Sequence, residues 1–208
     1  ELLVQQHIRR HNIPELEMAV LTWMGCLRER HIQRSVLTAL STSFLWGLCP
    51  RGKNKPGFPW AIPRVTPLGY DIGREVWRRY LQWSEEAGEA LQYVLVGDNG
   101  EKVSPARLTA TTRYILHQQG VKNPELFTAR SLRRVQPTML GQRGADPELK
   151  AAVGDWQGLT IRGRQSQAVT APMPVLYDND RVRTAAYAKF TQVEAFRRLA
   201  VDQEEALT

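Results

Sequence analysis

The sequence predicts a mainly α-helical domain with a small antiparallel β-sheet near its front, an α+β fold. Apolar residues recur at helical spacing in several separate stretches. One strand-like stretch is interrupted by a turn that contains Pro and Gly. The 208 residues, 42% of them hydrophobic and six of them Trp, can bury a real core and exclude a disordered chain. We therefore expect one domain over residues 1–208.

Most of the chain has helical periodicity. Pro14 suits a first helical turn, and apolar residues follow at helical spacing to Leu27. Ser104 and Pro105 start another helix, the serine as its cap and the proline in its first turn. The predicted helices are 14–27, 28 to about 40, 71–84, 104 to about 119, 130–142 with an end at Arg143-Gly144, 147–153 with Asp146 as its cap, and an amphipathic final helix over 178–205.

The β-structure is predicted as a hairpin. Residues 43–48 and 58–65 form its strands, and 50–57 form its turn. A further short strand is predicted over 93–96, closed by Asp98-Asn99-Gly100. Residues 158–174 have little periodicity and are rich in Gly, Gln, Ser and Thr, which predicts a mobile loop.

Charge and cysteine usage limit the partners and the compartment. The net charge of +7 and the pI near 9.7 favour a polyanion, most commonly nucleic acid, although a merely solvated basic surface stays open. Cys26 and Cys49 lie in apolar stretches, which predicts buried thiols in a reducing, intracellular compartment. His7 and His11 are one helical turn apart but have no third ligand nearby, so no metal is predicted. No apolar run approaches the ~20 residues of a membrane span.

A series of cations followed by a late tyrosine could attack a phosphodiester. The guanidinium of arginine binds phosphate bidentately, and a lysine on a turn can protonate a leaving oxygen. A tyrosine surrounded by cations becomes a usable nucleophile. The sequence has no tight carboxylate cluster to hold Mg²⁺, so neither metal nor other cofactor is predicted. The candidate residues are Arg28, Lys53, Arg130, Arg133, Trp156 and Tyr177.

Five segments in this order resemble the catalytic domain of the tyrosine recombinases, the integrase-like strand-exchange enzymes that share an active-site plan with type IB topoisomerases. The resemblance covers nearly the whole chain. It implies an integrase-like catalytic domain whose N-terminal DNA-clamping partner domain is absent from these residues. The segments are Met24-Gly-Cys-Leu-Arg28, Arg51-Gly-Lys-Asn-Lys55, Arg130-Ser-Leu-Arg133 with the following turn Arg143-Gly-Ala-Asp146, Gly154-Asp-Trp156 and Tyr177-Asp-Asn-Asp-Arg181.

The resemblance implies DNA cleavage and rejoining without metal or ATP, through a 3′-phosphotyrosyl intermediate on Tyr177. Lys53 would protonate the leaving oxygen, and the arginines and Trp156 would hold the phosphate. It also implies site-specific recombination or integration by a mobile element, double-stranded DNA as partner, and a tetramer on paired sites whose final helix is exchanged between protomers. The compartment would be a prokaryotic cytoplasm or a eukaryotic nucleus. The predicted DNA contacts are Lys55, Arg51, Arg134, Arg162 and Arg164.

The sequence departs from the family pattern in four places. Arg130 replaces the histidine of the His-x-x-Arg box, and His31 stands where an acid is usual. Pro137 lies inside a predicted helix and is expected to kink it or mark an early end. The step from Trp156 to Tyr177 is long for the family, which keeps Tyr187 open as the nucleophile.

Several interpretations therefore stay open. The chain could be a DNA-binding relative that no longer cuts, a topoisomerase-like relaxing enzyme, or an unrelated basic helical protein. Two further basic clusters, Trp77-Arg-Arg-Tyr80 and Arg9-Arg10, are interpreted as DNA-backbone contacts or solvated faces.

Overall fold

The described part of the chain is mainly helical with one three-stranded antiparallel sheet, which confirms the predicted fold class. The structure, a computed structural model, describes residues 14–51, 56–88, 93–96, 101–146, 149–150, 153 and 175–205, with the backbone alone at 56, 175–181 and 199–205. The elements are α1 (Pro14–Gly25), α2 (Glu29–Gln33), β1 (Val36–Leu40), β2 (Phe44–Arg51), β3 (Pro56–Pro63), α3 (Ile72–Ala87), α4 (Pro105–Gln118), a 3₁₀ helix (Pro124–Leu126), α5 (Ala129–Gln142) and α6 (Val175–Glu205).

The sheet separates two layers of packing. Its strands run in the order β1-β2-β3, with Leu45 opposite Ile62 and Gly47 opposite Trp60. Because side chains alternate across a strand, Leu45, Trp60 and Ile62 face the main core with α1. The opposite face, with Phe44, packs against α6. The sheet is therefore covered by helices on both sides.

Gly47 of β2 is required opposite Trp60 of β3. A Cβ there would lie 2.2 Å from the Cζ2 atom of Trp60. The indole cannot easily retreat, because its Nε1 donates a hydrogen bond of 2.6 Å to the hydroxyl of Ser35, and both side chains are buried. The ring fills the space that the missing side chain leaves.

Local signals predicted several elements correctly. The hydroxyl of Ser104 caps α4 by accepting a hydrogen bond of 3.2 Å from the backbone N–H of Arg107. The predicted hairpin is formed by β2 and β3. Gly144, with φ of 73°, follows the end of α5 as predicted. Each of these features depends on residues close in sequence.

The predicted helix from Arg28 to Leu40 is wrong. Only Glu29–Gln33 is helical, and Val36–Leu40 is strand β1. Leu37 is buried in the main core and pairs with Gly47 of β2, so a partner distant in sequence decides the conformation. The strand predicted over 93–96 is reduced to a single bridge between Val96 and Lys102.

Pro137 does not end its helix. Helix α5 continues through it to Gln142. A proline inside a helix removes one backbone N–H donor. Here Pro137 is buried beside fully buried Gln136, so tertiary packing keeps the helix intact. The early end expected at this position is therefore wrong.

The final helix packs against its own chain. In α6, Ala186 forms a buried cluster with Phe44 of β2 and Ala61 of β3. The ring of Phe196 lies edge-on to Trp23 of α1, with 5.6 Å between ring centroids. Exchange of this helix between protomers remains a prediction. Within the described residues, no helix has the length and apolar character needed to cross a bilayer.

Candidate active site

The connection from α1 to α2, residues 25–28, forms what we call the α1–α2 junction. Cys26 has a left-handed φ of 53°, a backbone conformation that residues other than glycine rarely adopt. It turns the chain at the end of α1. Leu27 is buried, which anchors the turn. Arg28 follows in an extended conformation at the N-cap position of α2, and its carbonyl accepts from the N–H of His31 at 2.8 Å. The exposed Arg28 side chain thus stands on a fixed backbone.

Helix α5 binds the end of α1 and the α1–α2 junction through two side chains one turn apart. Arg133 donates from Nε to the carbonyl of Cys26 at 2.8 Å, although 107 residues separate the two. Gln136 donates from Nε2 to the carbonyls of Met24, at 2.9 Å, and Trp23, at 3.2 Å. The last carbonyls of a helix have no partner within it and carry partial negative charge. These contacts satisfy them and bring the segments of Arg28 and Arg133 together.

The other arginines of α5 are exposed. Arg130 precedes Arg133 by three residues and therefore lies on the same side of the helix, while Arg134 follows it. The pair Arg130 and Arg133 thus combines one solvent-exposed guanidinium with one fixed against the backbone. Arg28 is two residues along the chain from the Cys26 carbonyl that Arg133 binds, so this contact brings two arginine-bearing segments together, an arrangement that suits an anion.

Two further segments converge on Cys26. Its side chain is buried with Leu140 and Val153, and Ala188 of α6 packs against that cluster. Val153 therefore contacts the α1–α2 junction, while Trp156 lies outside the described residues. Lys189, also buried on α6, places its Nζ 3.5 Å from the carbonyl of Ala61 and interacts electrostatically with the Cys26 thiol.

Only some of the candidate residues lie in the part of the chain that the structure describes. Tyr177 lies in the first turn of α6, where only the backbone is described. Tyr187, on the same helix, is 66% exposed and lies edge-on to Phe44 with ring centroids 5.9 Å apart. Arg51 is exposed at the end of β2, next to the hairpin turn. Five candidates lie outside the described residues: Lys53, Lys55, Trp156, Arg162 and Arg164. His7 and His11 lie outside them as well.

The Cys26 thiol is buried and is expected to be unreactive in the folded protein. Burial raises its pKa to about 12, and the positive charges of Lys189 and Arg133 offset this only in part. Cys49 is also fully buried, and neither residue forms a disulfide. Because the thiolate is the reactive species, we expect no labelling of Cys26 by Ellman's reagent at pH 8 in the native protein. In guanidinium chloride both thiols should react. Rapid native labelling of Cys26 would contradict the described burial.

Three buried polar side chains were not predicted from the sequence. Gln136 and Lys189 each lie on the buried face of their helix, where a polar residue among apolar ones was the available signal. The interpretation of Trp77–Tyr80 as a DNA-contacting or solvated face is wrong for Arg79. That side chain is buried and forms a bidentate ion pair with Glu17 of α1.

In the described parts of the chain, no three His, Cys, Asp or Glu side chains are grouped as a metal site would need.

Comparison with known proteins gives a distant structural likeness. The FLP recombinase in "FLP Recombinase-Holliday Junction Complex I" shares 13% identity with the chain at a TM-score of 0.43, over 79% of this chain and 43% of that one. It is a remote likeness to a recombinase fold. The chain spans less than half of that recombinase chain. No protein-family model and no curated protein matches the chain.

Proposed function

We propose that the protein cleaves and rejoins DNA strands by a tyrosine-mediated phosphoryl transfer that needs neither metal nor ATP, as in site-specific recombination or integration. One observation carries the proposal: the bond from Arg133 Nε to the Cys26 carbonyl joins two sequence motifs that are more than 100 residues apart. The resemblance to the tyrosine recombinases predicts a phosphate-binding role for both motifs. Their meeting at the α1–α2 junction supports a common site.

The proposed reaction is a direct displacement at phosphorus. The phenol oxygen of Tyr177 attacks the scissile phosphate, a new P–O bond forms to tyrosine, and the P–O5′ bond breaks. The phenolic proton passes to solvent, and Lys53 donates a proton to the departing O5′. The products are a 3′-phosphotyrosyl link and a 5′-hydroxyl. The reverse reaction, with a 5′-hydroxyl as nucleophile, rejoins the strand, because the covalent link retains the bond energy.

Arginines would stabilise the charge that builds on the non-bridging oxygens. Fixed donors aimed at such charge contribute on the order of 10²–10³ in rate each. Arg133 is held by its bond to Cys26, which orients the plane of its guanidinium. Arg28 and Arg130 are exposed and can reach a bound phosphate. The indole N–H of Trp156 would add a further donor.

Further basic residues are proposed to contact a DNA backbone. Arg51 and Arg134 are exposed in the structure, and Lys55, Arg162 and Arg164 complete the proposed contact set. Such contacts position a duplex without reading its sequence. We propose double-stranded DNA as the partner and a tetramer on paired sites as the assembly. DNA affinity should then fall steeply with salt concentration, as counterion release requires.

Covalent trapping tests the proposal. The protein is incubated in EDTA with nicked suicide duplexes of random sequence, and protein–DNA bands that resist denaturation are collected. We expect such a band, because loss of the short cleaved strand prevents rejoining. Salt-sensitive DNA binding without any band would overturn the cleavage proposal and leave a DNA-binding protein that does not cut.

Arg133 and Arg134 offer a matched pair within the same experiment. Replacing Arg133 by Ala should slow trapping by about 10²–10³-fold at saturating DNA. Arg133→Lys should rescue little, since an ammonium cannot reproduce the planar fork. Arg134→Ala should weaken DNA binding but leave the rate at saturation close to that of the unchanged protein. Equal rate losses in the two Ala variants would contradict the assigned role of Arg133.

A further inference from the structure

A cationic cavity lies beside α2, on the segment that follows Arg28. Its volume is about 290 Å³, at the small end of ligand sites in proteins. One wall is formed by α2 and by Arg34, the residue that follows it. The other wall is formed by the segments around Tyr93 and Lys102. The lining residues are Glu29, Arg30, Gln33, Arg34, Tyr93, Lys102, Val103 and Pro105.

The two walls of the cavity are held together by hydrogen bonds to Gln33. Its backbone carbonyl accepts from the N–H of Val94 at 3.1 Å, and its side-chain Nε2 donates to the carbonyl of Leu95 at 2.5 Å. Gln33 is only 5% exposed. Its Oε1 is buried and accepts no hydrogen bond from any described residue. A buried acceptor without a donor is unfavourable, so a ligand that supplies a donor to it would gain affinity.

Charge and an aromatic ring define the rest of the cavity. Arg30, Arg34 and Lys102 contribute three cations, and the one lining acid, Glu29, lies 4.0 Å from the Nε of Arg30. The Nζ of Lys102 is 5.9 Å from the centroid of the half-buried Tyr93 ring. This combination of cations and an aromatic face beside a buried acceptor matches a phosphate, a planar base and a base N–H donor.

We infer that this cavity binds a nucleotide unit, with its phosphate on Arg34, Arg30 and Lys102, its base against Tyr93, and a base amino group donating to Oε1 of Gln33. The unit is either a free mononucleotide or an unpaired nucleotide of a DNA strand, which present the same chemistry. The inference does not require strand cleavage, because none of these residues belongs to the proposed phosphoryl-transfer site.

Calorimetric titration of the full chain with three probes tests the ligand chemistry without altering the protein. Deoxyadenosine 5′-monophosphate should bind. Deoxyadenosine, which lacks the phosphate, and purine deoxyriboside 5′-monophosphate, which lacks the amino group, should each bind about tenfold more weakly. Absence of binding by the first probe at millimolar concentration would overturn the inference. Equal affinity for all three would overturn it as well.

Variants locate the binding. Lys102→Ala and Arg34→Ala should each weaken binding of the monophosphate about tenfold. Lys122→Ala, which removes an equal charge from an exposed position outside the cavity, should leave the affinity unchanged. Equal losses in Lys102→Ala and Lys122→Ala would show diffuse charge attraction and contradict the site. The Gln33→Met variant, checked for folding by circular dichroism, should bind deoxyadenosine 5′-monophosphate and purine deoxyriboside 5′-monophosphate with equal affinity.

A DNA duplex with one unpaired adenosine, compared with the same duplex abasic at that position, identifies the source of the nucleotide. Tighter binding of the first by about tenfold, lost in Lys102→Ala, assigns the cavity to a DNA strand. Equal binding of the two duplexes, together with binding of the monophosphate, assigns it to a free nucleotide. Covalent trapping by Lys102→Ala is measured in parallel, so failure of the cavity and failure of strand cleavage are separate results.

Discussion

Replacing Tyr177 with Phe is expected to abolish covalent capture of DNA while leaving DNA affinity unchanged. The substitution removes only the phenol oxygen that would form the new bond to phosphorus. Loss of a covalent nucleophile removes on the order of 10⁶ in rate in other enzymes, so no band should be detectable. Denaturing electrophoresis of trapped complexes measures the capture, and titration of the same DNA by fluorescence anisotropy measures the affinity.

Tyr187→Phe is the matched control on the same helix. The Tyr187 ring contacts Phe44, and a phenylalanine preserves that edge-on packing. We therefore expect capture at the unchanged rate. The opposite pattern, with capture lost in Tyr187→Phe and kept in Tyr177→Phe, would retain the chemistry but move the nucleophile ten residues along α6.

Replacing Arg79 with Met is expected to destabilise the fold by about 3–5 kcal/mol. Arg79 of α3 and Glu17 of α1 form a buried bidentate ion pair with one contact at 3.0 Å, and Glu17 is fully buried. Without the guanidinium, a carboxylate would remain in the core with no compensating charge from Arg79. Urea unfolding followed by circular dichroism gives the change in free energy.

The matched control removes both charges. Glu17→Leu combined with Arg79→Met should be much more stable than Arg79→Met alone, because hydrophobic replacements of a buried ion pair are often neutral. If the double variant is as unstable as Arg79→Met, the loss comes from packing volume, and the account of a stranded charge is wrong.

The loss in Arg79→Met should also depend on pH. Burial raises the pKa of Glu17 above its ordinary value, and Arg79 opposes the rise. A raised pKa means that the folded state binds the proton more tightly than the unfolded state, so the contribution of Glu17 to stability falls as pH rises through that window. Removing Arg79 removes the interaction that lowers the pKa of Glu17. The loss of unfolding free energy in Arg79→Met, relative to the unchanged protein, should therefore shrink as the pH is lowered toward the ordinary carboxyl range.

Features fixed by neighbouring residues could be predicted from the sequence. The Ser104 cap, the hairpin and the end of α5 at Arg143 each follow from a cap or turn preference acting within a few residues. Features fixed by distant partners could not. Local periodicity predicts a helix for β1, because its pairing with β2 leaves no local signal. The basic cluster around Arg79 predicts a surface position, because its partner Glu17 is 62 residues away.

The candidate site likewise combines features that the local sequence predicts with features that depend on distant partners. The motif resemblance predicts Arg28 and Arg133 as phosphate ligands, but periodicity could not show that Arg133 reaches the carbonyl of Cys26. The left-handed turn at Cys26 had no local signal either, since glycine is the residue that normally marks such a position. Only the packing of α1 against α5 creates the α1–α2 junction.

The most direct test of the central claim is to identify the residue that carries DNA. Complexes trapped in EDTA are digested with nuclease and protease, and the nucleotide-bearing peptide is sequenced by tandem mass spectrometry. The account predicts a nucleotide attached through its 3′-phosphate to Tyr177. Attachment to a serine, a histidine or a 5′-phosphate would contradict the proposed reaction, and attachment to Tyr187 would contradict the proposed nucleophile.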